Sequence, residues 1–201
     1  MKSILLFTSI LLFSFSNLKE GPDDFDDKLS EIVREFKTEI MDEDECEKQK
    51  RAADDLADDI EDAIEDEDNS EEIIELKKLK KEAEALEDFI AVIGDCGNHI
   101  LSIKNFNLAN RRVGANVANI IKGEYRVNII SVTIGNYVTY LGENNSSKDY
   151  TVAYKWKAPI GMNTGKGTMG LSKSSVRHIY DNRDNPSQKV ISVFGITCKE
   201  F

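Results

Sequence analysis

Three cysteines, two histidines, a pair of overlapping asparagine sequons and a Lys-Trp-Lys triplet are the residues of this 201-residue chain with the most chemical potential. His99 and His178 are the only side chains whose unperturbed titration falls near neutral pH. Neither stands in a catalytic pattern, for there is no nucleophile elbow, paired zinc motif or glycine-rich phosphate loop. Cys96-x-x-His99 has ligand-like spacing, but no second pair completes a four-ligand set. Asp66-x-Asp68-x-Ser70 opens like a calcium loop and then departs from it. Glu71 stands where glycine is needed and Lys77 where the bidentate glutamate belongs. The dense aspartates from Asp54 to Asp68 read as a solvated helix face. The expectation is a non-enzymatic protein with no cofactor and no metal.

The odd cysteine count leaves one thiol over. Cys46 and Cys96 have their midpoint at residue 71, so an antiparallel hairpin folded there brings them level, as disulfide geometry requires. Cys96 with Cys198 would instead staple both ends of a C-terminal domain. Either pairing leaves a thiol that could cross-link two chains, and a buried free thiol is the plainer alternative. Asn144-Asn145-Ser146 and Asn145-Ser146-Ser147 are sequons in an expected polar turn, making Asn144 and Asn145 candidate glycosylation sites of which one would be occupied.

Two further segments carry charge chemistry. Lys48-Gln49-Lys50-Arg51 resembles a proprotein cleavage site, with processing after Arg51, although a helix would deny a protease the extended backbone it needs. If it is cut, residues 17–51 are an acidic pro-segment able to mask a basic half. Lys155-Trp156-Lys157 suits contact with a lipid headgroup layer or an anionic glycan, while the alternation of Trp156 with Val152 and Tyr154 places its ring on a core face. Arg111, Arg112, Lys122, Arg126, Arg177 and Arg183 would extend the basic surface.

The elements that must position these residues follow from patterning. Lys2 precedes an apolar stretch, Ile4 to Phe15, shorter than the ~20 residues of a membrane span. Ser14-Phe15-Ser16 fits small-x-small cleavage, so residues 1–16 read as a signal peptide and the chain as secreted. Residues 17–95 hold 31 acids and 11 bases, whereas 96–201 hold 6 acids and 14 bases, an asymmetry that should draw the halves together. Nucleic acid is excluded as a partner by secretion and the net charge of −11.

Helices are expected at residues 24–41, 47–66 and 70–93, the last N-capped by Ser70. Leu76, Leu79, Ala83, Leu86, Ile90 and Ile93 form a heptad seam. The last two helices form a hairpin or join a bundle between chains, or else the seam lies on the chain's own β domain. Beyond residue 96 the period falls to two. Val127 to Ile134 reads as a strand with a bulge at Ile129-Ile130, turning at Gly135-Asn136 into a return strand at Tyr137 to Leu141. A polar turn at Gly142 to Asp149, a strand at Tyr150 to Lys157, a loop at Pro159 to Gly167, and strands at Thr168–Leu171, Val176–Tyr180 and Val190–Cys198 complete the reading. The fold class is α+β, an acidic helical or coiled-coil region (17–95) followed by a small, basic, antiparallel β-sandwich-like domain (96–201).

The seam helix, Val132-x-Ile134-x-Asn136, Gly165-x-Gly167-Thr168-x-Gly170 and Val190-Ile191-Ser192-Val193-Phe194 together resemble the order of elements in actinoporin-type pore formers, over residues 76–196 at most. That family's aromatic lipid-binding segment has no counterpart after the last strand, and no family is assigned. The expected function is a secreted non-enzymatic glycoprotein that self-associates or binds an extracellular protein or glycan. The alternative is a membrane-active, pore-forming-like protein held inactive by the acidic pro-segment, with 70–93 as the inserting helix.

Overall fold

In a computed structural model of the chain, residues 19–38, 42–97, 100–157, 164–181 and 192–200 are described. The expected signal peptide, His99, Arg183 and the start of the last expected strand lie outside them.

Three helices open the chain. Helix α1 (Pro22–Thr38) has proline at its first position and Asp23 and Asp24 in its first turn, both favourable at a helix N-terminus. Helix α2 (Glu43–Glu65) is capped by Asp42, whose carboxylate accepts the Glu45 N–H at 2.8 Å. Helix α3 (Ser70–Gly94) is capped by Asn69, not by the expected Ser70; the Asn69 Oδ1 accepts the Glu71 N–H at 3.0 Å. Helices α2 and α3 form the expected hairpin. Every member of the heptad seam is buried, Leu79 being the most exposed at 6%. The seam's partners are α1, α2, a fourth helix and a sheet of the same chain, all contributing to one apolar cluster. Two of the expected alternatives are thus both realised, a hairpin and a helix lying on its own β layer, and no bundle between chains is needed to cover the seam.

Residues 100–122, where no expected element falls, hold three: β1 (Ile100–Ser102), α4 (Ile103–Val113) and β2 (Asn116–Lys122). Ser102 caps α4 by accepting the Asn105 N–H, and Gly114 ends it in the left-handed conformation. Arg112 in its last turn does not extend a basic surface. Its guanidinium donates to the Asp26 carbonyl (2.9 Å) and the Ser30 hydroxyl (2.8 Å), and pairs with the carboxylates of Asp26 (2.7 Å) and Glu82 (3.6 Å). This is the attraction between acidic and basic halves, made within one chain.

Strands β3 (Val127–Ile134), β4 (Tyr137–Asn144), β5 (Tyr150–Lys157), β6 (Thr164–Leu171), β7 (Ser175–Asp181) and β8 (Ser192–Glu200) complete two antiparallel sheets, ordered β1-β7-β4-β3-β2 and β6-β5-β8. Gly135, at φ +57°, supplies the positive φ of the β3–β4 hairpin turn. The bulge expected in β3 is absent: β3 pairs with β4 in unbroken register, and the extra residue, Ile120, lies in β2 opposite Ile129 and Ile130. The apolar run of β3 has another cause. Ile130, Val132 and Ile134 face the helices, while Val127 and Ile129 face the second sheet, so the strand is buried on both sides. Two other boundaries are corrected. The polar turn begins only after Asn144, and β6 already starts at Thr164 within the expected loop.

The order of layers is helices, five-stranded sheet, three-stranded sheet. The main core crosses the boundary expected at Asp95: Tyr137 of β4 donates its hydroxyl to the Ile93 carbonyl at 2.7 Å, and His178 Nδ1 of β7 lies 3.2 Å from the Asp95 carboxylate.

Candidate functional site

The three cysteines separate into a bond and a thiol. Cys46, near the start of α2, is joined to Cys96, just beyond α3, across 50 residues. Both are buried. Cys96 is thereby unavailable for the metal-like pairing with His99. Cys198 is the free cysteine, opposite Val152 in the β5–β8 ladder and half-buried against the inter-sheet cluster. Burial, and secondarily Glu124, push its thiol above the ordinary range, disfavouring the reactive thiolate. That setting does not suit a cross-link between chains. Among the described residues no group of three His, Cys, Asp or Glu side chains converges as a metal site, and no helix is long and apolar enough to cross a membrane.

Arg51 lies inside α2, in helical backbone. Scission there would not free residues 17–51, because Cys46 remains bonded to Cys96. The helix expected to insert into membranes, α3, is the most buried helix and is held at its end by the same bond.

The two sequons are unequal. Asn145 is exposed. Asn144 is fully buried at the end of β4, and its Nδ2, the atom a glycan would take, lies 2.8 Å, 3.2 Å and 3.0 Å from the carbonyls of Lys148, Leu171 and Ser172.

Lys155, Trp156 and Lys157 are split by the pleat of β5. Trp156 points between the sheets, against Ile129, Val138 and Tyr140, while Lys155 and Lys157 are exposed on the outer face. The inward rings of β5 lie over glycines of the edge strand β6: Trp156 opposite Gly165, Tyr154 opposite Gly167. A Cβ on Gly167 would stand 2.2 Å from the Tyr154 ring, and one on Gly165 2.3 Å from the indole. Gly167→Ala is therefore expected to cost about 1–3 kcal/mol by displacing that ring from the inter-sheet core. A thermal melt checks this; an unchanged melting temperature would contradict it.

The outer face of this sheet is built from the alternate residues of three strands. Ala153 is flanked by Thr168 of β6 and Thr197 of β8, and in the next row Lys155 stands directly opposite Lys166. Together with Tyr154 and Gly167 these residues line a groove of about 240 Å³, open because Ala153 is small. Lys157 is two residues along β5, about 7 Å at ordinary strand rise. Lys199 is opposite Thr151, further down the same face. The three strands contain one acid, Glu200, which is paired with Lys148 at 2.7 Å. Like charges directly opposite each other destabilise a sheet. Here Lys155 and Lys166 face each other with no carboxylate from their own strands between them. Two ammonium groups above two threonine hydroxyls can hold an anionic group.

The individual lysines were visible in the sequence, but their meeting was not, because the β5–β6 register lies across residues outside the reading of any local pattern. No family model, curated protein or solved structure matches this chain.

Proposed function

We propose that the protein is a secreted, non-enzymatic binding protein that holds an anionic glycan, a sulfated or carboxylated polysaccharide, along the outer face of its three-stranded sheet. The observation that carries the reading is the Lys155–Lys166 pair in an acid-free groove, continued by Lys157 and Lys199. An extended polyanion supplies charge at each of these positions in turn. The net charge of −11 does not oppose this. The acid-rich α2 packs on α3, with both sheets lying between it and the lysines, on the order of 20–30 Å at ~10 Å per layer. Physiological salt screens exposed charges over about 8 Å.

A glycan fits better than a lipid surface because Trp156, the ring that would anchor in headgroups, is turned inward. Binding through the β face fits better than helix-driven assembly because the seam is buried within the chain. The buried disulfide supports an extracytoplasmic setting, where such bonds persist.

The test is retention on a sulfated polysaccharide at 0.15 M salt. Wild-type protein should bind and elute as salt rises. Lys155→Gln/Lys166→Gln should weaken binding about 5- to 30-fold, the equivalent of ~1–2 kcal/mol from two exposed charge contacts. Lys77→Gln on α3 is the matched control and should leave binding unchanged. Equal retention of the double variant and wild type, or no retention of either, sinks the proposal.

A further inference from the structure

A second concavity lies at the other end of β5, where the β2–β3, β4–β5 and β6–β7 connections meet. It is an open depression of about 510 Å³ lined by Tyr125, Arg126, Asn145, Ser147 and Ser174, among others. Its backbone is unusual. Tyr125 (φ +57°), Arg126 (φ +63°) and Ser174 (φ +50°) are all in the left-handed region, though none is glycine. Such conformations persist only where the surroundings enforce them, and they concentrate at ligand clamps. Here backbone hydrogen bonds enforce them: the Asn145 N–H donates to the Arg126 carbonyl at 3.0 Å, and the Ser174 N–H to the Ser146 carbonyl at 3.1 Å. Gly123, just before Tyr125, has no room for a side chain, since a Cβ would stand 2.4 Å from the Val127 carbonyl oxygen.

This rigid turn holds an aromatic ring out in water. Tyr125 is 60% exposed, yet its ring is fixed by stacking on the buried Tyr150, with centroids 5.5 Å apart and planes at 14°. A held, exposed aromatic face beside a guanidinium, an amide and hydroxyls matches the two sides of a sugar, whose C–H face stacks and whose hydroxyls hydrogen-bond. We propose that this cleft seats a pyranose sugar ring against Tyr125. The ring has two sources, the first sugar of a glycan on Asn145, which lines the same cleft, or a separate saccharide. The proposal does not rest on the lysine groove, which lies on a different face.

The experiment uses the full disulfide-bonded chain in two forms, one secreted from glycosylating cells and one made without glycosylation. A sugar C–H stacked on Tyr125 shifts upfield through the ring current. In the first form, peptide mass mapping locates the glycan, and proton–carbon correlation spectra of the labelled glycoprotein should show upfield-shifted sugar protons that vanish on Tyr125→Ala and remain on Tyr125→Phe. In the second form, added N-acetylglucosamine dimer and a glucuronic-acid disaccharide should show the same shift if the sugar comes from elsewhere. A shift in the first form alone identifies the chain's own glycan, and a shift in the second identifies a separate ligand. Because the wild-type spectrum is itself a readout, a variant that fails to fold does not weaken the test. No shifted sugar proton in either form overturns the proposal.

Discussion

Replacing Cys46 and Cys96 by alanine is expected to lower the free energy of unfolding by about 4 kcal/mol, the chain-entropy value for a closed loop of this size. The bond joins residues 50 apart in sequence, at the open end of the α2–α3 hairpin. Without it the unfolded chain regains the conformations that the loop excludes, while the folded hairpin loses its tie opposite the short connection between α2 and α3. At roughly 2–4 °C per kcal/mol for a chain of this length, the melting temperature should fall by about 10 °C. Denaturant titrations with and without reductant measure the effect, and midpoints that coincide would refute it. Cys198→Ser is the informative control, since Cys198 takes no part in the bond and its replacement should cost far less. The bond also bears on what cleavage after Arg51 could release. It keeps residues 17–51 attached whether or not the backbone after Arg51 is cut, so release of an acidic pro-segment requires reduction in addition to proteolysis.

Asn144→Ala is expected to cost about 3 kcal/mol, because buried hydrogen-bonding groups left without partners cost about 1–3 kcal/mol each. The two Nδ2 hydrogens of Asn144 are shared among the carbonyls of Lys148, Leu171 and Ser172, and its Oδ1 accepts the N–H of Ser146 at 3.0 Å and its hydroxyl at 2.7 Å. One side chain thus fastens the end of β4 to the connection after it and to the connection after β6. Asn144→Asp is the sharper variant. It keeps the shape but turns a carboxylate toward three carbonyl oxygens, which raises its folded-state pKa. Relative to wild type, its stability should therefore be greatest below the ordinary carboxyl range and be lost as the pH rises from that range through the raised folded-state pKa. Chemical denaturation across pH, beside the wild type, checks both magnitude and sign; an Asn144→Asp protein as stable as wild type at neutral pH would contradict the account. The same geometry leaves Asn145 as the accessible acceptor of the overlapping sequons in the folded protein.

The parts legible in the sequence share one property, that they depend on spacing along the chain. The helical stretches follow from the 3.6-residue period and the change to period two beyond residue 96 marks the sheets. The hairpin, and Cys46–Cys96 as one of the two pairings left open beside Cys96–Cys198, follow from the near-equal distances of Cys46 and Cys96 from the break at Asn69. The antiparallel turn at Gly135-Asn136 was equally local. Asn69, not Ser70, as the cap of α3 is a one-residue error of the kind that side-chain geometry alone resolves.

The parts that were not legible depend on what lies opposite. A heptad seam names the face to be buried and leaves its partner open, because apolar burial is non-directional. Only the packed chain makes that partner its own α1, α2, α4 and five-stranded sheet. The double-sided burial of β3 imitates a bulge for the same reason, since two alternating patterns overlap when a strand lies between two layers. Helix α4 carries Phe106, Ala109 and Val113 at helical spacing, yet its 11 residues are too few for that signal to stand out between two short strands. A sequon is a three-residue pattern, whereas the burial of Asn144 is set by carbonyls 4, 27 and 28 residues away. By itself the sequence determined the period of the three long helices and of the strands from β3 onward, and the opposed charge of the two halves. Tertiary structure alone decided which lysines face each other, which asparagine stays open to solvent and which ring is held out in water, because those outcomes are set by strand register and layer order, which bring together residues far apart along the chain.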